Sequence, residues 1–150
     1  SGFPLVIVHP GSGVPSRRWP WAGFAETMER VSRQRSVDFL VLRADPSDAP
    51  TAPELAPASR SMFLDGALDL GMLAALLASG AVLLGNDSGP AHLAAAVGTP
   101  VVAPFVSGNS ARRWRPGSEQ NIALEGEVGV GPSVTQVTEA VLRVLGRRGG

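Results

Sequence analysis

"AVLLGNDSGPAHLAAAVGTPVVAPF", residues 81–105, decides the fold. Its first apolar run, 81–85, is too short for a helix and is closed by glycine, which reads as a buried strand. "PAHLAAAVG" has helix-forming composition, with Pro90 suited to a first helical position, where no intrahelical N–H partner is needed. "PVVAPF", 100–105, is a second buried-strand run. Strand, helix and strand in so short a span form the crossover unit of a parallel sheet.

The same alternation continues on both sides. "LVIV" (5–8) predicts a strand, and "WAGFAETMERVSR" places Trp21, Phe24, Ala25, Met28 and Val31 on one helical face, with Pro20 in the first turn. "VDFLVL" (37–42) and "SMFL" (61–64) predict further strands. "DLGMLAALLASG" predicts a helix capped by Asp69 and ended before Gly80. "NIALE" (121–125) predicts the last strand. Ser133 and Gln136 have capping-box spacing ahead of a helix whose Val134, Val137, Val141 and Leu145 face the core. The expectation is a Rossmann-like three-layer α/β/α domain with a parallel sheet of about six strands. Residues 44–60 carry Pro at 46, 50, 53 and 57, so at most one short helical piece is expected there.

One hundred and fifty residues form one ordinary domain, with no repeat and no internal domain boundary. The chain is 44% hydrophobic and 17% charged, with a formal net charge of zero, so a nucleic-acid partner is not expected. "ARRWRP" (111–116) and the terminal "RRGG" are too short to change that. Without cysteine there is no disulfide or thiolate chemistry. No transmembrane run or signal peptide is read, and a cytoplasmic location is expected. Residues 1–3 read as a cloning remnant, 147–150 as a flexible tail, and the missing initiator Met as the mark of a fragment.

Ligands of open α/β sheets bind beyond the carboxyl ends of the strands. Two loops are expected there: "HPGSGVPSRRWP" (9–20) and "GNDSGPAH" (85–92). In the second, free N–H groups of Ser88, Gly89, Ala91 and His92 could face an anion at a helix N-terminus. The plainer alternative makes Ser88 or Gly89 an N-cap, Asp87 a turn former and His92 a half-buried packing residue. The first loop joins glycines and serines to Arg17 and Arg18, a phosphate-cradling composition that an ordinary solvated Arg pair would also show. Two such loops on one edge suggest a diphosphate between them.

Other chemistries fit poorly. A dinucleotide fingerprint needs G-x-G-x-x-G and an acid about 20 residues on; here prolines delay the helix and Asp45 lies well beyond that spacing. A P-loop needs lysine, and all thirteen basic residues are arginine. "GNDSG" lacks the G-x-S-x-G spacing of a nucleophile elbow. Two histidines do not make a zinc site, and His9 reads most simply as a strand-end packing residue.

"LLGNDSGPAHLAAAVGTPVVAPF" closely resembles the signature of the ADP-heptose:lipopolysaccharide heptosyltransferase family, with its Asp-Ser/Thr-Gly-x-x-His-Leu-x-Ala-Ala stretch. "IVHPGSGVPSRRWPWAGFAETMERV", "LDLGMLAALLASGAVLLG" and "FVSGNSARRWRP" are similar to family segments in the same order, so the resemblance spans roughly residues 4–118. It implies one half of a GT-B fold: the C-terminal domain, residues 1–150, that binds a nucleotide-diphospho-sugar such as ADP-heptose. The catalytic base and the glycan or glycolipid acceptor would belong to an N-terminal domain outside this sequence, leaving no catalytic residue here and the fragment alone inactive. By resemblance, Asp87, Ser88, Gly89 and His92 bind the donor's diphosphate and sugar, and Gly11 and Ser12 form the first phosphate loop. Arg17 stands where many members carry a lysine. Asp48 is the candidate ribose ligand, with Asp45 and Glu54 as rivals, and an adenine slot is expected around Leu64–Leu68. The resemblance implies inverting transfer in cell-surface glycan synthesis, without a metal or other cofactor, by a protein that can sit peripherally at the inner face of the membrane. The alternatives are a nucleotide-binding module without transferase activity and a GT-B-like UDP-sugar transferase or epimerase domain.

Overall fold

Six short strands pair only with parallel neighbours, and the central ones are apolar on both faces. The computed structural model describes residues 2–11, 18–44, 60–86, 88–106 and 120–148. In chain order, the described elements are β1 (Leu5–His9), α1 (Trp21–Gln34), β2 (Asp38–Arg43), β3 (Ser61–Asp65), α2 (Leu70–Ala78), β4 (Val82–Gly85), α3 (Gly89–Ala96), β5 (Val101–Phe105), β6 (Ile122–Glu125) and α4 (Val134–Arg148). The sheet order is β3-β2-β1-β4-β5-β6. The chain steps outward from β1 to β3, then returns to place β4 on the other side of β1 and continues to β6. This reversal opens a crevice beyond the carboxyl ends of β1 and β4, the position where open α/β sheets bind ligands.

Period-two alternation divides each strand between two cores. Val6, Val8, Phe39, Val41, Val82 and Leu84 face the layer of α1 and α4. Ile7, Leu40, Leu42, Leu83, Ala103 and Phe105 face the layer of α2 and α3. In the first layer Phe24, Met28 and Val31 of α1 and Val137, Val141, Val144 and Leu145 of α4 are essentially inaccessible. Each such side chain contributes roughly 1.5–3 kcal/mol by leaving water, which outweighs helix propensity in holding these elements.

The expected strands and helices appear with ends shifted by a residue or two. Asp69 caps α2, accepting from the Met72 N–H at 2.8 Å. The capping box of α4 is reciprocal: the Ser133 N–H donates to Gln136 Oε1 at 2.8 Å and the Gln136 N–H to Ser133 Oγ at 3.1 Å. Pro20 is the N-cap of α1 rather than part of its first turn. Thr27, on the face read as apolar, is fully buried because its hydroxyl donates to the Gly23 carbonyl at 2.8 Å. Gly80, just past α2, stands so close to Ile7 that a Cβ there would lie 2.8 Å from Ile7 Cδ1. Helix α4 runs through Arg148, into the stretch expected as a tail. The proline-rich 45–59 lies outside the described residues.

Phe24 fills the centre of the α1 layer, edge-on to Trp19 at 5.0 Å between ring centroids. Phe24→Ala is expected to lower unfolding free energy by about 3–5 kcal/mol, seen as a lower urea midpoint with an unchanged slope.

Candidate ligand cleft at the switch point

The crevice is organised by one side chain, Asn86, the residue that follows β4. It is fully buried. Its Oδ1 accepts from the Trp19 N–H at 2.9 Å, and its Nδ2 donates to the Pro10 carbonyl at 2.8 Å. The Asn86 N–H donates to the His9 carbonyl at 3.3 Å. One amide thus ties the start and the end of the loop after β1 to the loop after β4. A buried amide has donors and an acceptor to satisfy at once, so this pairing fixes the spacing of the two loops. Trp19 is itself clamped: its indole Nε1 donates to the Pro132 carbonyl at 3.1 Å. Gly23 and Gly131 give the ring room, since a Cβ on either would come within 3.0 Å of it.

On the α2 and α3 side lies a cleft of about 200 Å³. Its floor is Leu42 and Leu64; its far end is formed by Arg43, Ala44, Gly66, Ala67 and Leu68; Leu73 of α2 closes one side and His9 and Pro90 the end nearest α3. Four of the residues 64–68, where the resemblance implies an adenine slot, thus line this cleft, which is walled mainly by apolar and small groups. Gly66 adopts φ +96°, which lets the chain turn tightly out of β3 at the cleft wall.

Arg43 and Asp65 are register partners across β2 and β3. The guanidinium grips the carboxylate through two bonds, Nε to Oδ1 at 2.6 Å and Nη2 to Oδ2 at 2.7 Å, and lies 4.5 Å from the centre of the Phe63 ring. The hydrogen bonds from Arg43 hold the Asp65 carboxyl below its ordinary value, and those to Asp65 hold Arg43 above its own.

Helix α3 presents its N-terminus to the same edge. Ser88 is its N-cap in extended backbone, yet the hydroxyl makes no capping bond; Ser88 Oγ lies 3.5 Å from His9 Nδ1 instead. Gly89 and Ala91 belong to the first turn, whose N–H groups have no partner one turn back, and Pro90 between them carries none. The His92 N–H, expected to be available to an anion, donates to the Ser88 carbonyl at 3.2 Å. Its regular α-helical bond explains the difference. His92 is exposed as a residue, unlike the half-buried alternative.

Of the residues read from sequence as a diphosphate site, the structure brings Gly11, Ser88, Gly89 and His92 to this edge. Ser12, Arg17, Asp87 and Asp48, like Asp45 and Glu54, lie outside the described residues. Among the described residues no three His, Asp or Glu side chains gather as a metal site would need, and no helix is long and apolar enough to cross a membrane. Sequence reading missed Asn86 and the Arg43–Asp65 pair. A polar residue directly after a wholly apolar strand was the available signal for the first; the strand register that reveals the second was not visible.

The family described as glycosyltransferase family 9 (heptosyltransferase) matches residues 2–141. A glycosyl transferase family 9 structure from Veillonella parvula is 25% identical, covering 95% of this chain and 46% of its own, with a TM-score of 0.77. E. coli ADP-heptose lps heptosyltransferase II, 22% identical, superposes with a TM-score of 0.83 over 100% of this chain and 49% of its own. E. coli heptosyltransferase WaaC, in a structure with ADP, is 17% identical and gives 0.72 over 95% and 43%. The chain thus spans about half the length of the structures it matches. Among curated proteins, none matches the sequence significantly.

Two outcomes test the site's framework. Asn86→Ala leaves the buried Trp19 N–H and Pro10 carbonyl without partners and is expected to lower stability by about 2–4 kcal/mol in urea unfolding. Asp65→Asn is expected to lower the melting temperature at pH 7. Because folding lowers the Asp65 pKa, the stability this carboxylate adds is present above the ordinary carboxylate range and lost as pH falls through its folded value. The melting temperatures of variant and parent should therefore converge in acid.

Proposed function

The chain belongs to glycosyltransferase family 9, the heptosyltransferase family, and from that premise we propose that it is the donor-binding half of an inverting glycosyltransferase with a GT-B arrangement, acting in cell-surface glycan synthesis in the cytoplasm. The observation that carries the reading is the apolar cleft of about 200 Å³ that runs up to the N-terminus of α3. A flat base fits between Leu64, Ala67 and Leu73, and a diphosphate leaving the cleft past His9 meets Ser88 and the first-turn N–H groups.

In this reading Gly11, Ser12, Arg17, Asp87, Ser88, Gly89 and His92 hold the diphosphate and sugar, and Asp48 the ribose. As the bond to the sugar breaks, negative charge grows on the departing nucleoside diphosphate. A helix N-terminus and an arginine side chain would stabilise that charge more than the donor's ground state, which lowers the barrier. The acceptor hydroxyl would lose its proton to a carboxylate supplied by the other half of the enzyme. The donor is read as an ADP-sugar of the heptose type, in keeping with the family and with relatives solved as an ADP-heptose enzyme and with ADP.

A thermal-shift panel of ADP, UDP, GDP and NAD on this chain tests the proposal. Saturation at 100-fold above Kd adds about 2.7 kcal/mol of stability, so an ADP-selective rise in melting temperature is expected. A UDP preference would move the chain to another donor class, and no shift with any nucleotide would overturn donor binding. Arg17→Ala and His92→Ala should each weaken ADP binding; if neither does, the cradle is misassigned.

A further inference from the structure

His9 reads from sequence as a packing residue at a strand end, and the structure places it elsewhere in the logic of the cleft. It is the last residue of β1, in register with Gly85 of β4. Its ring lies on the sheet face covered by α2 and α3, the face of Ile7 two residues earlier. A Cβ at position 85 would come within 3.1 Å of the His9 carbonyl oxygen and 3.2 Å of His9 Cβ, so the glycine keeps open the space the histidine occupies. Only 9% of His9 is exposed, and the exposed part borders the cleft beside Pro90. It thus stands where the apolar cleft ends and the N-terminus of α3 begins.

The state of Ser88 gives this position a chemical meaning. A serine at an N-cap ordinarily accepts from the N–H of the second or third helical residue. Here the second is Pro90, which has no N–H, and the Ser88 hydroxyl makes no capping bond. It faces His9 Nδ1 at 3.5 Å instead. With the hydroxyl facing His9, Ser88 does not occupy the first-turn N–H groups of its own helix.

We infer that His9 is a positioning residue: its Nδ1–H donates to Ser88 Oγ, so that the Ser88 hydroxyl proton points, with the first-turn N–H groups of α3, at one phosphoryl group of the bound nucleotide. Hydrogen-bond arithmetic selects the tautomer. An anion accepts only, so Ser88 must donate to it; its oxygen then accepts from His9, and His9 must carry its proton on Nδ1. A bound diphosphate and the Nδ1–H form of His9 therefore favour each other. The inference rests on the donor-binding reading and assigns a role within it to a side chain outside the family signature.

The test combines ¹⁵N imidazole spectra with affinities for ADP and adenosine. On adding ADP, His9 Nδ1 is expected to move to the protonated, pyrrole-type resonance, and Ser88→Ala should abolish that response. His9→Ala should weaken ADP about tenfold, the loss of one hydrogen-bonded contact to an anion, while adenosine affinity changes less than about twofold on the same scale. His9→Asn, whose amide nitrogen can take the place of Nδ1, should restore most of the ADP affinity. The His9→Ala, Ser88→Ala double variant should bind ADP no more weakly than Ser88→Ala alone. Equal losses for ADP and adenosine would overturn the role and make His9 a wall of the cleft. An Nε2–H ring in the ADP complex, or additive losses in the double variant, would overturn it as well. The spectra use the unsubstituted protein and stand even if a variant fails to fold. Wild-type chain that binds ADP while these results fail overturns the His9 role alone; wild-type chain that does not bind ADP overturns donor binding and this inference together.

Discussion

The ligand edge of this domain depends on the amide of Asn86. Six parallel strands end on that edge, and the loops after β1 and β4 meet there. Asn86 is fully buried and bonded to both ends of the loop after β1, through the Pro10 carbonyl and the Trp19 N–H. Among the described residues it is the side chain that makes the spacing of the two loops a property of the core instead of the solvent. Apolar packing alone could not do this, because packing is non-directional and tolerates sliding, whereas a satisfied buried amide does not.

The cleft follows from that constraint and from the strand order. Reversal between β1 and β4 leaves a gap above the sheet, and α2 and α3 flank it with small and aliphatic residues. The two helical layers differ in character. Exposed positions of α1 carry Glu26–Arg30 and Glu29–Arg33 pairs one turn apart, each worth a few tenths of a kcal/mol at most, roughly, in the solvent. Helix α2 has no charged residue within its span and leaves Leu70 and Met72 exposed near the cleft. Among the described residues, charged surface is thus carried by α1 and is absent from α2.

Most of the architecture was legible in the chain because its signals are local. Buried parallel strands are continuous apolar runs, the Asp69 cap and the Ser133–Gln136 box are short-range patterns, and α1 and α4 carry a full apolar face. Of the proposed site, only what is local was legible: the turn from Ser88 into α3 lies where the motif put it, and Leu64, Gly66, Ala67 and Leu68 line the cleft. What escaped notice depends on partners far away in sequence. Asn86 finds Pro10 and Trp19 across 76 and 67 positions, Arg43 finds Asp65 only once β2 and β3 are in register, and His9 reaches Ser88 across 79. The His92 N–H was misjudged for a different reason: the helix begins one residue earlier than Pro90, and that single step moves His92 inside the hydrogen-bonded ladder.

Trp19 joins three parts of the molecule that are distant in sequence. Its N–H is bonded to Asn86 just after β4, its ring packs on Phe24 near the start of α1, and its indole is bonded to the Pro132 carbonyl just before α4. A rigid bicyclic group with three attachments transmits displacement rather than absorbing it. The end of the loop that follows β1 and the segment that leads into α4 are therefore held by one residue, and neither can be repacked without disturbing the other's partner. The last described helix, far from the cleft in sequence, thus begins beside the residue that Asn86 holds in place.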